Sequence, residues 1–249
     1  MELRILPDRA RLGAEAAHDI AVALRGRLAG GGRVRMMFAA APSQAEALEA
    51  LLAEPGIDWG RVDAFHMDEY VELDADAPQA FGNWLCEHLF GRAPFGSVHY
   101  IGTGGGASAA QSYAATLGEA PIDLVCLGIG VNGHLAFNDP PVADFDDPLL
   151  VKEVELDLEC RQQQVDDGCF AALDEVPAHA LTVTVPALLS GARLFCIVPG
   201  AAKAAAVRAA VEGPIETACP ASALRGHPDC TLYLDADSSA LLDGGAVRP

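Results

Sequence analysis

Basic side chains are scarce in this 249-residue chain: 16 Lys and Arg stand against 35 Asp and Glu, a formal net charge of −19. That balance repels phosphate backbones and anionic lipid surfaces, so neither nucleic acid nor a membrane is expected as a partner. An anionic small molecule is still admissible, because a few cations and backbone N–H groups gathered in a cleft outweigh a diffuse surface charge. No stretch reaches 18 consecutive apolar residues, and the opening MELRILPDRARLG has no apolar leader core. The seven cysteines are odd in number and scattered, with no C-x-x-C pair, which predicts free thiols and a cytoplasmic location. A G-x-S-x-G elbow, a P-loop and a dinucleotide-binding glycine fingerprint are all missing. No histidine pair has metal-ligand spacing, so no metal or other cofactor is expected.

What the chain does have is bulk apolar character. At 51% hydrophobic residues it can bury a large core, and its length suits one α/β domain over residues 1–249. Residues 8–28 carry Ala and Leu at helical spacing up to the Gly30-Gly31-Gly32 break. Val34–Ala41 predicts a core strand, followed by Pro42-Ser43 and a helix over 44–53. Such a strand-to-helix junction presents N–H groups that can bind an anion, although the plainer reading, preferred from the sequence alone, is that Ser43 simply caps the helix. Arg61–Met67 predicts a second strand running straight into Asp68-Glu69-Tyr70. Adjacent residues of extended chain point to opposite faces, so one carboxylate can enter a cleft while the other pairs locally.

Residues 78–90 show Phe81, Trp84, Leu85 and Leu89 at helical spacing, and 97–101 and 107–117 predict a short strand and a helix. Residues 142–168 are acidic and irregular, a long excursion of the kind that serves as a lid or an interface. Strands are predicted at 179–185 and 194–198, then Pro199-Gly200-Ala201-Ala202-Lys203 and a helix through Val211. A lysine in a first helical turn opposes the macrodipole, which hints at a ligand anion beside Lys203. A short helix near 219–224, a last strand at 230–234 and a polar tail complete the chain.

The most informative stretch is Ile122–Pro141, IDLVCLGIGVNGHLAFNDPP. An apolar run empties into Gly128, Gly130 and Gly133 and then into His134, with Asn138-Asp139 close behind. In a parallel sheet the carboxyl end of a strand is the ligand side, and glycines let the backbone turn and approach a ligand closely. A histidine beside a carboxylate makes a tuned acid/base pair suited to proton transfer.

Phe65-His66-Met67-Asp68-Glu69-Tyr70-Val71 together with Leu127-Gly128-Ile129-Gly130-Val131-Asn132-Gly133-His134-Leu135-Ala136-Phe137-Asn138-Asp139-Pro140 resembles the two signature segments of glucosamine-6-phosphate deaminases, which group with 6-phosphogluconolactonases. The Gly200-x-x-Lys203-Ala204 junction, Val211-Glu212-Gly213 and His227-Pro228 also look familial, so the likeness runs in order from about residue 34 to 235. It implies a three-layer α/β sandwich with a mostly parallel, Rossmann-like sheet and helices on both faces. It also implies isomerisation and deamination of an aminohexose 6-phosphate to fructose 6-phosphate and ammonia.

Carried over by position, Asp68 is the base that moves a proton between C2 and C1 through an enolamine. His134 opens the sugar ring, with Asp139 where the family has a Glu. Asn132 stands where the family has an Asp, and an amide carries neither proton nor charge. The phosphate falls to Lys203 and the Ala41–Ser43 loop, with Glu69, Gly130 and Gly133 lining the ligand side and Arg161 as candidate phosphate arginine. The loop itself, Ala39-Ala40-Ala41-Pro42-Ser43, departs from the family's Gly/Thr-rich one. A lactonase or another sugar-phosphate isomerase is the near alternative, and a non-catalytic sugar-phosphate sensor the distant one. The expected partner is a small sugar phosphate, and a homo-oligomer stays open.

Overall fold

The computed structural model describes residues 1–243. Strand β1 (Glu2–Leu6) leads into helix α1 (Arg9–Leu28), whose start is capped by the Asp8 carboxylate accepting from the Arg11 N–H at 2.8 Å. Then follow β2 (Val34–Phe38), α2 (Ala45–Ala53), β3 (Val62–His66), β4 (Asp68–Tyr70) and α3 (Phe81–Leu85), the last continuing as a π-turn over Cys86–Phe90. Next come β5 (Ser97–His99), α4 (Gly106–Leu117), β6 (Leu124–Leu127), β7 (Val151–Glu155) and α5 (Leu158–Asp166). The chain goes on through β8 (His179–Val183), α6 (Val185–Leu189), β9 (Arg193–Val198), α7 (Ala204–Glu212) and β10 (Cys230–Asp235).

Seven strands form one sheet in the order β1-β10-β9-β6-β2-β3-β5, every neighbouring pair parallel. Their side chains alternate between two apolar layers, as a period of two requires. Met36, Phe38, Phe195 and Ile197 pack against α1 and α2 on one face. Met37, Leu194, Cys196 and Val198 pack against α4 and α7 on the other. Both faces are therefore covered, the usual condition for an all-parallel sheet. A second, antiparallel sheet, β4-β8-β7, sits apart from the first.

Four placements differ from the sequence reading. Strand β1 escapes it because an edge strand with a half-exposed burial pattern has no clean apolar alternation. The stretch 142–168 is not irregular throughout: it holds β7 and α5. The buried residues of α5 are Cys160, Gln163 and Gln164, so its inward face is mostly polar and shows no apolar period. Strand β8 is buried from Ala180 to Val183 and mostly apolar there, yet it joins the small antiparallel sheet, with Asp68 paired to the buried Thr182. The element near 219–224 is a 3₁₀ segment, Pro220–Gly226. Of the polar tail, residues 244–249 lie outside the described residues, while Ser238 and Ser239 are buried against Asp235.

Candidate active site

Four adjacent strands, β9, β6, β2 and β3, end on the same side of the sheet, and their C-terminal loops enclose a cleft of about 540 Å³, open mouth included. Strand β2 contributes Ala39–Ala41, Ser43 and Gln44, β3 contributes Met67 and Asp68, β6 contributes Gly128–Gly130 and His134, and β9 contributes Lys203. Residues far apart in sequence meet here because parallel strands all release their chains on the same edge. A wall of Phe81 and Phe137, stacked at 5.4 Å between ring centres, closes one side.

Asp68 is 6% exposed, and its Oδ1 is buried without a hydrogen-bond partner. Burial pushes its carboxyl well above the ordinary range, and the neighbouring Glu69 adds to the rise. Glu69 turns the other way. Its carboxylate accepts from the Tyr70, Phe81 and Gly82 N–H groups at 2.9, 2.9 and 2.8 Å. Burial raises it to about 7 against the pull of those three hydrogen bonds. The expectation that Glu69 lines the ligand side is corrected: it anchors the start of α3 and is absent from the cleft wall. Behind Asp68 stands His66, fully buried, whose Nε2 accepts from the Ile101 N–H at 2.8 Å. Its Nδ1–H therefore donates to the Asp68 carbonyl at 2.9 Å, and burial holds the imidazole neutral, its pKa lowered to about 4.

His134 comes from the tight loop after β6, where Gly133 has φ +86° and donates to the Gly130 carbonyl at 3.0 Å. A Cβ on Gly130 would fall 2.1 Å from the imidazole, so glycine there is what lets the ring lie flat on the backbone. The ring's Nδ1 lies 2.9 Å from Asp139 Oδ1, within hydrogen-bond reach. Asp139 is fully buried. Burial alone would raise its carboxyl, but His134, the Asn132 amide at 3.0 Å and the Asp157 N–H at 3.2 Å together hold it below the usual carboxylate range. Asn132 Oδ1 in turn accepts from the His134 N–H at 3.1 Å, which fixes its Nδ2 toward Asp139. Asn132 and Gly133 thus stand behind the cleft rather than on its wall, and Gly133 packs against Cys219.

On the β9 side the cleft holds Lys203, in the 3₁₀ turn Ala201–Lys203. Burial lowers its ammonium pKa, partly offset by the charge of Asp167. Opposite, the turn Pro42–Gln44 offers few amides: Pro42 has no N–H, and the Gln44 N–H is taken by the Ala41 carbonyl at 2.9 Å. The Ser43 hydroxyl and the buried Gln44 side chain, with its Oε1 unpartnered, complete that side. Arg161 does not reach the cleft. Its guanidinium donates to the Leu173 and Val176 carbonyls at 2.9 and 2.7 Å and braces the loop before β8. Helix α5 sends Gln163 and Gln164 into the cleft instead, and the exposed Asp167 just past its end stands on the rim; no apolar pattern marks these three residues.

One cluster among the described residues, His134, Asp139 and Cys160, has metal-ligand spacing, with donor atoms within 4.8 Å of one another. A cation there would compete with His134 for Asp139.

Residues 7–150, more than half of the chain, match the family model described as glucosamine-6-phosphate isomerases/6-phosphogluconolactonase. The chain belongs to that family. It is 32% identical over 214 residues to a glucosamine-6-phosphate deaminase of Listeria innocua, covering 85% of this chain and 89% of the relative. It is 34% identical over 196 residues to one of Streptococcus pneumoniae, covering 77% and 80%. A solved monomeric glucosamine-6-phosphate deaminase superposes with a TM-score of 0.88 at 25% identity over 97% of this chain and all of that one. A 6-phosphogluconolactonase of Thermotoga maritima, at 20% identity and a TM-score of 0.76 over 94% of this chain and 99% of its own, shares the fold. The glucosamine-6-phosphate isomerase/6-phosphogluconolactonase family is one of enzymes, and this chain is an enzyme of that superfamily. Both signature segments fall inside the matched region, whereas α5 and Lys203 lie beyond it.

Proposed function

We propose that this enzyme is an aminosugar-phosphate deaminase and isomerase, converting glucosamine 6-phosphate or a close epimer to fructose 6-phosphate and ammonia. The observation that carries the reading is that a buried carboxylate, Asp68, and an imidazole backed by a carboxylate, His134 on Asp139, line one cleft. His134 moves a proton between the ring oxygen and the C1 hydroxyl and so opens the sugar. Asp68, made more basic by burial, takes the C2 proton and returns it to C1 through an enolamine; water then displaces ammonia at C2. Asp139 orients His134. Lys203, with the Ser43 hydroxyl and the loop amides, holds the far end of the substrate.

A coupled assay for ammonia and fructose 6-phosphate on the purified protein tests the reading, with galactosamine 6-phosphate and 6-phosphogluconolactone run alongside. Hydrolysis of the lactone without ammonia release from either amino sugar would overturn it.

A further inference from the structure

Three side chains of different chemistry converge beside the cleft. His134 Nδ1, a carboxylate oxygen of Asp139 and Cys160 Sγ all lie within 4.8 Å of one another. Asp139 and Cys160 are fully buried, and of the three His134 is the one that lines the cleft. Apart from Asp139, His134 Nδ1 has no hydrogen-bond partner. Cys160 comes from the first turn of α5, whose polar inward face sets a thiol against the Asp139 carboxylate. Asp139 is itself braced from outside the cluster, its Oδ1 accepting from Asn132 Nδ2 at 3.0 Å and its Oδ2 from the Asp157 N–H at 3.2 Å. Metal-binding carboxylates are held in the same way.

An imidazole nitrogen, a thiol sulfur and a carboxylate oxygen are the donor types that zinc takes, whereas magnesium and calcium require oxygen. Charge also balances, because a carboxylate and a thiolate cancel a dication and leave no net charge in the interior. Tetrahedral zinc, with bonds of roughly 2.0–2.3 Å, needs donors about 3.3–3.6 Å apart. That spacing falls between the 2.9 Å of the His134–Asp139 pair and the 4.8 Å limit of the cluster.

We infer that His134, Asp139 and Cys160 form an inhibitory zinc site, in which the ion replaces the contact between His134 and Asp139 and silences the imidazole. Burial, and then Asp139, push the Cys160 thiol well above its ordinary range, so the sulfur keeps its proton until a metal displaces it. On binding, that proton passes to solvent, the Zn–S bond forms, and Nδ1 and an Asp139 oxygen each donate a lone pair; no electron is transferred. With Nδ1 on the metal, the other ring nitrogen keeps its hydrogen and has no lone pair with which to accept a proton from the sugar. The loss of activity rests on the proposed role of His134, whereas the binding does not.

The test begins with the wild-type protein. Crystals soaked in zinc chloride and measured at the zinc absorption edge should show an anomalous peak bonded to His134 Nδ1, Asp139 and Cys160 Sγ, and titration with cobalt(II) should give the absorption of a cobalt–thiolate bond. Anomalous peaks at other positions alone overturn the site. In Cys160→Ala the cobalt–thiolate absorption should vanish. Zinc affinity, read by competition with a chelating dye, should fall by more than about a hundredfold, since even second-shell changes cost roughly 10–100-fold. Cys86→Ala, which removes an exposed thiol, should leave both readouts unchanged. Equal zinc affinity in the wild type and Cys160→Ala also overturns the site. Zinc should abolish ammonia release from glucosamine 6-phosphate by the wild type, and a chelator should restore it. Cys160→Ala, altered outside the cleft wall, should keep its turnover at the same zinc concentration. Zinc bound at the three residues with wild-type turnover unaffected overturns the inhibitory role. Absence of ammonia release from every amino sugar without zinc would overturn the proposed deaminase, and the crystal and cobalt results would still decide the site.

Discussion

His66 and Asp68 lie two residues apart and are joined by one buried hydrogen bond, from the imidazole Nδ1–H to the Asp68 carbonyl at 2.9 Å. The other ring nitrogen accepts from the Ile101 N–H, so one neutral tautomer ties the end of β3 to the loop after β5. The carboxylate proposed as catalytic base is thereby fixed from behind by a group that never enters the cleft.

Replacing Asp68 by Asn removes the base while keeping the shape of the site. Ammonia release should fall by about 10²–10⁴-fold or more with the circular dichroism spectrum and melting temperature little changed. Turnover retained in this variant would sink the assignment of Asp68.

The buried His66 also predicts a pH dependence of stability. Its pKa is lowered to about 4 in the folded protein, against an ordinary value near 6.5. The unfolded chain therefore binds a proton that the folded one refuses between these values, and stability is lost as pH falls from about 6.5 to 4, by about 3 kcal/mol for this residue. Glu69 acts with the opposite sign. Its pKa is raised to about 7, so its contribution is lost as pH rises from about 4.5 to 7. Urea unfolding of wild type and His66→Asn across this range separates the two: their stability difference should shrink toward pH 4. A difference independent of pH would show that His66 does not titrate as its burial requires.

Gly130→Ala should be a defect of activity more than of fold. The added methyl would fall 2.1 Å from the His134 ring, which can only rotate away and leave Asp139. Misplacing a catalytic group in this way costs roughly 10²-fold in kcat. Wild-type turnover in Gly130→Ala would mean that the ring does not act from this position.

Asn132→Asp would exchange the amide donor facing Asp139 for a second carboxylate. Like charges in contact raise one another's pKa values, so a carboxyl of the pair at positions 132 and 139 should titrate above its wild-type value, read by carboxyl-selective NMR or infrared titration. An unchanged carboxyl titration would show that the two side chains are not in contact.

Much of the catalytic half of the site is legible in the sequence because it depends on local geometry. A parallel strand ending in Gly-x-Gly has to release its chain at the ligand edge, and residues 65–71 and 122–141 each carry their own turn chemistry. The alternation that sends Asp68 and Glu69 to opposite sides follows from extended backbone alone. The binding half is less legible. Helix α5 carries Gln163 and Gln164 on a polar inward face, with the exposed Asp167 just past its end, so its sequence mimics a solvated loop. Arg161 carries the right charge within the right segment, yet the helix turns it toward the carbonyls of residues 173 and 176.

The sequence by itself determined the parallel α/β sheet, through apolar runs bounded by glycine, and pointed to the proposed proton-transfer groups, through short motifs whose conformation is local. Tertiary structure alone decided which side chains share the Lys203 side of the cleft. That choice depends on how α5 and the loops after β2 and β9 come together, a matter of packing between segments distant in the sequence, which no local period records.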